Sequence, residues 1–356
     1  MEPFYVRGCW CVREFFMANK FRIGVSREVI TKDGGTIFGE EATRILEDAN
    51  VEWTILDDHS AGVTPDHAAE FDAICLMTAS VTSQTLSRED RKLKLIARFG
   101  VGYDSVDVSA CNTFGVLLTI TPDGVRRPVA ASVMAYVLAL AHRMFLKDRL
   151  VRAGRWLDKG NFLGMGLMGR TLGVIGVGNI GAEVLRLAKP FNLNLLGCDP
   201  NVSQSEIEAL GATKVDLRTL LKESDFISVN CLLNEQTESL ISHEQFKLMK
   251  PSAYFINTSR GPVVDEHALI VALQNDLILG AAIDVFKHEP VDLNNPLLQL
   301  DNVIVAPHAI CHTDECMRIL GERSFQSAVD LSYGRKPGEL VNPEVLAHPS
   351  WVDQWS

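Results

Sequence analysis

The sequence predicts an α/β protein built from two doubly wound parallel sheets, and two observations carry that prediction. From Phe21 onward, short β-rich runs alternate with helical patterns, and the alternation occurs twice, on either side of one long apolar helix. Within the second set lies "TLGVIGVGNIGAEVLRLAKPFNLNLLGCDP", Thr171 to Pro200, which reads as strand, glycine turn, helix and strand. Strands that alternate with helices form parallel sheets covered on both faces. The chain has 356 residues, whereas single cores stop growing at about 250 to 300. Two domains are therefore expected.

Taken in order, "FRIGVS", "VEWTILD", "FDAICLM", "LKLIARFG" and "GVLLTIT" are strands by length and β-branched content. Helical stretches such as "EEATRILEDA" separate them. At Thr121 the pattern changes to a turn and one long helix in "TPDGVRRPVAASVMAYVLALAHRM", which marks a boundary. A second set of strands follows at "LGVIGV", "NLLGCD", "FISVNC", "AYFINTS", "GAAIDVF" and "VIVAPH". The tail from His312 to Tyr333 reads as another long helix that returns to the first domain. The expected division is residues 21–121 with 311–345 for one domain and 122–310 for the other. Residues 1–20 form an extension without clear periodicity.

With 47% hydrophobic and 22% charged residues, the composition is that of an ordinary globular protein. The net charge of −11 argues against a nucleic-acid partner, since phosphate backbones are held by clustered Lys and Arg. Eight cysteines are scattered without disulfide or zinc spacing, which suits a reducing compartment. Cys9 with Cys11, and Cys311, His312 and Cys316, crowd together, but a tetrahedral metal site needs four ligands, so free thiols and no metal are expected. No secretory h-region and no apolar run of the roughly 20 residues that a bilayer requires is read from the sequence. The expectation is a soluble, cytoplasmic protein with no membrane partner.

Gly176, Gly178 and Gly181 follow a strand and open a helix. The first permits a tight turn, the second lets a pyrophosphate approach the backbone, and the third lets helix and strand pack closely. The helix start at Asn179 and Ile180 then offers unpaired N–H groups to phosphate. Asp199 ends the next strand, at roughly the 20-residue offset where a carboxylate accepts ribose hydroxyls. It would repel a 2′-phosphate, and Pro200, Asn201 and Val202 bring no cation to offset it, so NAD is favoured over NADP.

Three ionisable residues stand at predicted strand ends: Arg260 after "INTS", Glu289 in "DVFKHEP" and His308 closing "VIVAPH". In open α/β sheets ligands bind outside the carboxyl ends of strands, so these residues are placed to meet in one cleft. Reduction of a 2-keto acid needs a cation for the carboxylate, a proton donor for the carbonyl oxygen and a fixed nicotinamide. Arginine provides a planar fork that stays charged, and histidine paired with a carboxylate provides the proton.

The motifs "ARFGVGYDSVD", "GRTLGVIGVGNIG", "LMKPSAYFINTSRGPVVDEHAL", "GAAIDVFKHEP" and "APHAICHTDE" occur in the order found in D-isomer-specific 2-hydroxyacid dehydrogenases, and residues 21–344 resemble that family. The resemblance implies a Rossmann NAD-binding domain, a flavodoxin-like substrate domain, a small 2-keto or 2-hydroxy acid substrate and a homodimer built through the second domain and its boundary helix. It implies Arg260 as substrate anchor, Glu289 and His308 as acid/base pair, and Asp284 as partner of the nicotinamide carboxamide. It places the backbone of Val101 and Gly102 on the substrate carboxylate, and Cys231, Thr258 and Ser259 beside the cofactor. The chain departs from the family pattern in "VRRPVAAS", where Ala131 and Ser132 stand in place of a Glu and its neighbour, and in "VNCLLNEQT", where Asn230 and Leu232 replace His and Pro. Arg126, Arg127 and Arg98 are candidates for a second anionic group on the substrate. An NAD(H)-sensing binding protein, like the corepressors of the same family, stays open as the alternative. Formate dehydrogenases fit less well, because Glu289 stands where they carry Gln.

Overall fold

The computed structural model describes residues 20–56 and 62–355. The expected extension, with Cys9 and Cys11, lies outside the described residues except for Lys20. Five strands form the first sheet: β1 (Phe21–Val25), β2 (Val51–Ile55), β3 (Ala73–Leu76), β4 (Leu95–Arg98) and β5 (Leu117–Thr119). Seven form the second: β6 (Thr171–Ile175), β7 (Asn194–Cys198), β8 (Thr213–Lys214), β9 (Phe226–Val229), β10 (Tyr254–Asn257), β11 (Gly280–Ile283) and β12 (Val303–Val305). Every strand pair is parallel.

The first sheet runs β2-β1-β3-β4-β5 and the second β12-β11-β10-β9-β6-β7-β8. These are the two doubly wound orders, the second with one additional strand, and each reverses direction beside its own first strand. Side chains alternate between two cores on each sheet, as a pleat requires. In β3, Ala73 and Cys75 face one core while Ile74 and Leu76 face the other. In β10, Phe255 enters one core while Tyr254 and Ile256 enter the opposite one.

One long helix spans the two sheets, and a second returns to the first. The helix Pro122–Ala141 places Val125 and Val129 in a core of the first sheet, and Val133, Met134, Tyr136, Val137 and Leu140 in a core of the second. The helix is 20 residues long with a mean hydropathy of 1.2, which corrects the expectation that no stretch is long and apolar enough to cross a bilayer. Its position explains the composition, because 72% of that stretch is buried inside the molecule.

The helix Asp314–Ser332 packs on the first sheet, as the sequence predicts, with Phe325 edge-on to Phe38 and Phe99 at ring distances of 5.7 and 5.5 Å. Ser324 Oγ donates to the Ala97 carbonyl of β4 at 3.1 Å. Gly321 is small because a Cβ there would press on Phe38 and Ala42.

Candidate active site

The carboxyl ends of the two sheets face one cavity of about 820 Å³. From the first sheet it receives Glu28 after β1, Met77 and Thr78 after β3, and Arg98 to Asp104 at the end of β4. From the second it receives Ile180, Asn230 to Asn234, Thr258 to Arg260, Asp284, Phe286 and His308, each beyond the end of a strand. Crevices at such strand ends are where open α/β sheets hold ligands.

His308 and Glu289 meet on one wall. His308 Nδ1 lies 2.7 Å from Glu289 Oε2, and Glu289 Oε1 accepts the Phe286 N–H at 2.9 Å. An ionised carboxylate only accepts, so Nδ1 carries the hydrogen toward Glu289 and Nε2 is the ring atom left to exchange a proton. Burial pushes the Glu289 carboxyl up, but the His308 ring, the Phe286 N–H and the nearby Arg260 charge outweigh it and hold the group below the usual carboxylate range. The His308 backbone is left-handed, with φ of 55°, a conformation that non-glycine residues adopt only when their surroundings enforce it. Asp284 supplies that enforcement. Its carbonyl accepts the His308 N–H at 2.7 Å, and its Oδ1 accepts the Ala309 and Ile310 N–H groups at 3.0 and 3.2 Å.

Arg260 forms the second wall. Its Nε donates to Asp104 Oδ1 at 2.9 Å across the cleft, and its Nη1 donates to the Ser259 carbonyl at 2.7 Å. Asn257 fixes the turn, accepting from the Ser259 N–H and hydroxyl at 3.0 and 2.9 Å and donating to the Arg260 carbonyl at 3.0 Å. Arg260 Nη2 lies so close over Gly102 that a Cβ on Gly102 would overlap it. Arg98 is a second guanidinium in the same cavity. Its Nη1 donates to the Phe99 carbonyl at 2.8 Å, while its Nε is buried without a partner. Burial and the neighbouring Arg260 charge lower the Arg98 pKa to about 10, so it stays a cation at neutral pH.

Within the glycine turn, Gly176 and Gly181 meet the backbone requirements read from the sequence. Gly176 is left-handed, with φ of 85°, and a Cβ on it would come within 2.6 Å of the Cys231 nitrogen. Gly178 opens on empty space, and a Cβ on Gly181 would overlap the Gly176 carbonyl oxygen. Asp199 reaches back to this turn, its Oδ2 accepting the Val177 N–H at 2.9 Å and its Oδ1 accepting the Asn201 N–H at 2.8 Å. Two buried oxygens, Thr258 Oγ1 and Asn230 Oδ1, border the cavity and bond to nothing in the protein. Buried polar atoms are almost always satisfied. A polar ligand in this space accounts for both, so the residues present fit a dinucleotide.

The cavity thus collects Arg98, Val101, Gly102, Ile180, Cys231, Thr258, Ser259, Arg260, Asp284, Glu289 and His308. Gly176, Gly178, Asn179, Gly181 and Asp199 are not among its lining residues; Gly178 and Asn179 are exposed while Gly176 and Gly181 are buried, and the turn adjoins the cavity through Ile180. Arg126 and Arg127 do not join it either, which corrects their candidacy. Val125 and Val129 take the cavity side of the helix, and successive residues rotate by about 100°, so both arginines face outward. There Arg126 pairs with Asp123 at 3.5 Å and Arg127 with Glu183 at 2.6 Å. Ser132, at the departure from the family pattern, donates to the Pro128 and Ile310 carbonyls at 2.9 and 3.0 Å, tying the boundary helix to the His308 segment. Sequence reasoning missed Glu28, which accepts the Thr78 N–H at 2.9 Å, and Asp104, whose one signal was a charge two residues beyond Gly102. It also missed Lys214, whose Nζ donates to the Val202 carbonyl at 2.5 Å near Asp199.

Two parallel sheets that hold a glycine turn, two guanidinium groups and a histidine–carboxylate pair around one cleft define an α/β oxidoreductase of the dinucleotide-binding class. Residues 134–309 match the family model described as D-isomer specific 2-hydroxyacid dehydrogenase, NAD binding domain. A glyoxylate reductase of Thermococcus litoralis is 38% identical over 291 residues, which span 80% of this chain and 88% of the relative. A D-3-phosphoglycerate dehydrogenase of Methanocaldococcus jannaschii is 36% identical over 308 residues, 85% of this chain and 57% of the relative. The crystal structure of D-lactate dehydrogenase from Aquifex aeolicus, complexed with NAD and lactic acid, superposes with a TM-score of 0.80 at 27% identity, covering 90% of this chain and 99% of that one. The chain belongs to the D-isomer specific 2-hydroxyacid dehydrogenase family, and its cofactor is NAD.

Proposed function

We propose that the protein reduces a small 2-keto acid to the D-2-hydroxy acid with NADH, and runs the reverse reaction with NAD. The observation that carries this reading is the meeting of His308–Glu289 with Arg260 in one cavity. Residues 21–121 with 311–345 form the substrate domain in this reading, and 122–310 the cofactor domain. Arg260 Nη2 and the backbone of Val101 and Gly102 bind the substrate carboxylate. His308 Nε2 gives its proton to the carbonyl oxygen as the alkoxide develops, and Glu289 stabilises the charged ring before transfer. Asp284 holds the His308 backbone and lines the nicotinamide end together with Thr258, Ser259 and Cys231. Bound NADH supplies the hydride. Catalysis between two sheets favours closure that excludes water. Arg98 selects the side chain, because its unpartnered Nε points to substrates with an oxygen or an anionic group beyond the keto carbon.

The test is NADH oxidation against glyoxylate, hydroxypyruvate, phosphohydroxypyruvate and pyruvate. Turnover is expected, with hydroxypyruvate or its phosphate preferred over pyruvate. Tight NADH binding without turnover on any of them would replace this reading by the NAD(H)-sensing one. Asp199→Ala is expected to narrow the NADH-to-NADPH preference in kcat/KM by about tenfold, since a carboxylate beside a 2′-phosphate repels it; an unchanged ratio removes Asp199 from the ribose site.

The active form in this reading is a homodimer in a reducing cytoplasm, where the six cysteines among the described residues stay free. The proposed contact differs from the one expected at "VMAYVLALAH", which is buried within the chain. It lies just beyond, where Leu157, Met168 and Leu163 are 91%, 81% and 78% exposed and Trp156, Met144 and Phe145 lie in the same segment. Exposed apolar side chains gathered in this way mark association surfaces. Leu157→Lys combined with Leu163→Glu is expected to halve the mass measured by light scattering.

A further inference from the structure

Beside the catalytic wall lies a pair of thiols that the reaction does not use. Cys311 lines the cavity three residues after His308 and packs on the core that holds Cys316. Cys316 is fully buried in the first turn of the helix Asp314–Ser332, its N–H donating to the capping Thr313 Oγ1 at 3.2 Å. Cys311 packs against the apolar cluster that contains Cys316, and the two thiols are near enough for each to shift the other's ionisation. The chain between them is short and constrained, with the Thr313 N–H donating to the Cys311 carbonyl at 2.8 Å. One thiol thus meets the substrate cavity, and the other stands directly behind it.

We infer that Cys311 and Cys316 form an oxidation site at which a hydroperoxide entering the cavity closes a disulfide and disables the His308 segment. In the first step the Cys311 thiolate attacks the peroxide; an S–O bond forms, the O–O bond breaks, and the second oxygen leaves as hydroxide or alkoxide. In the second step the Cys316 sulfur attacks the Cys311 sulfenic sulfur; the S–S bond forms, the S–O bond breaks, and the leaving oxygen takes the Cys316 proton as water. The two thiols are oxidised together and the peroxide is reduced.

Position and polarity both suit this chemistry. Cys311 precedes the start of a 19-residue helix, and helix N-termini favour the thiolate. The contact from Cys316 brings the Cys311 thiol below its ordinary value, against the opposing burial and the charge of Asp284. The other thiols with a resolved shift, Cys75, Cys111, Cys198, Cys231 and Cys316, are instead pushed up. The bond would reset the turn 311–313. That turn continues directly from Ala309 and Ile310, whose N–H groups Asp284 uses to hold the His308 loop. Misplacement of about 1 Å costs catalysis roughly a hundredfold.

The chemical part of this inference is independent of the assigned reaction; the loss of activity rests on His308 as proton donor. The experiment treats the full-length protein with hydrogen peroxide, alkylates the remaining thiols and maps tryptic peptides. The fragment His288–Arg318 holds these two cysteines and no other. It is expected to lose two hydrogen atoms and resist alkylation, while turnover falls at least about tenfold and returns with dithiothreitol. Cys316→Ala, with the wild-type rate before treatment, is expected to accumulate a dimedone-reactive sulfenic acid at Cys311 and no disulfide. Should Cys316→Ala fail to fold, the peptide map of the wild type decides alone. Both cysteines alkylated after peroxide treatment would overturn the oxidation site. A disulfide without loss of turnover would overturn its control of His308 and leave the acid/base assignment untouched.

Discussion

His308→Ala is expected to lower kcat for keto-acid reduction by roughly 10²- to 10⁴-fold, the usual contribution of a positioned general acid, equivalent to about 3 to 5 kcal/mol of barrier. NADH affinity should change little, because the glycine turn follows β6 whereas His308 follows β12, four strands away across the sheet with β9, β10 and β11 between them. The left-handed backbone at position 308 makes alanine an imperfect control. His308→Asn removes the imidazole with a residue that tolerates this conformation, and should match His308→Ala in rate while sparing stability.

The proton balance sets a further sign. Reduction consumes a proton and oxidation releases one, so reduction gains as pH falls and oxidation as pH rises; both slopes should flatten in the histidine variants. Glu289→Gln keeps the shape of the pair but replaces the carboxylate acceptor of the His308 Nδ1 hydrogen with a neutral amide, so kcat for reduction should fall. The Glu289 carboxyl is held below its ordinary range in the folded protein. Its contribution to stability is therefore present above the unfolded carboxylate pKa and is lost as pH falls through the lowered folded value. Acid unfolding of Glu289→Gln should show a weaker pH dependence in that window. Wild-type turnover by His308→Asn would remove His308 from the chemistry.

Most of the framework was legible because burial on both faces writes itself into short strands as continuous apolar runs. Eleven of the strands lie within runs readable from the sequence, whereas β8, only two residues long, carries no periodicity to detect. The helix Met144–Arg152 escaped for a related reason. Only Leu150 among its apolar residues is buried, and Met144, Phe145 and Val151 are exposed.

Positions set within one strand-end loop were readable, as Arg260 and His308 on the cavity wall show. Contacts made across the cleft were not. Asp104 lies in the loop after β4 of the first sheet and reaches Arg260 at a separation of 156 residues, a contact that only the meeting of the two sheets creates. Arg126 failed in the opposite sense. Its charge was visible, but the phase of the helix, set by the buried pair Val125 and Val129, turned it away from the site.

Arg260→Lys is expected to reduce kcat/KM by roughly 10²- to 10³-fold while keeping the positive charge. Geometry decides the magnitude. The guanidinium distributes its donors among three tasks: Nε on Asp104, Nη1 on the Ser259 carbonyl, and Nη2 over Gly102, where the substrate carboxylate is assigned. A lysine ammonium is a single point on a flexible stem and cannot hold the cleft-spanning bond, the turn and the substrate at once. Hydrogen bonds to charged groups contribute about 1.5 to 3 kcal/mol each, so losing one or two at the carboxylate accounts for the expected fall. The pH profile should survive intact, since His308 and Glu289 keep their 2.7 Å contact, and this separates a lost anchor from a lost acid.

Gly102→Ala provides the complementary experiment from the opposite sheet. Its Cβ would occupy the place of Arg260 Nη2, so the arginine must swing away although its own side chain is unchanged. Comparable losses in Arg260→Lys and Gly102→Ala, with NADH binding retained in both, would establish that the anchor is shared between the sheets. Full activity in Gly102→Ala would mean that the substrate carboxylate binds elsewhere.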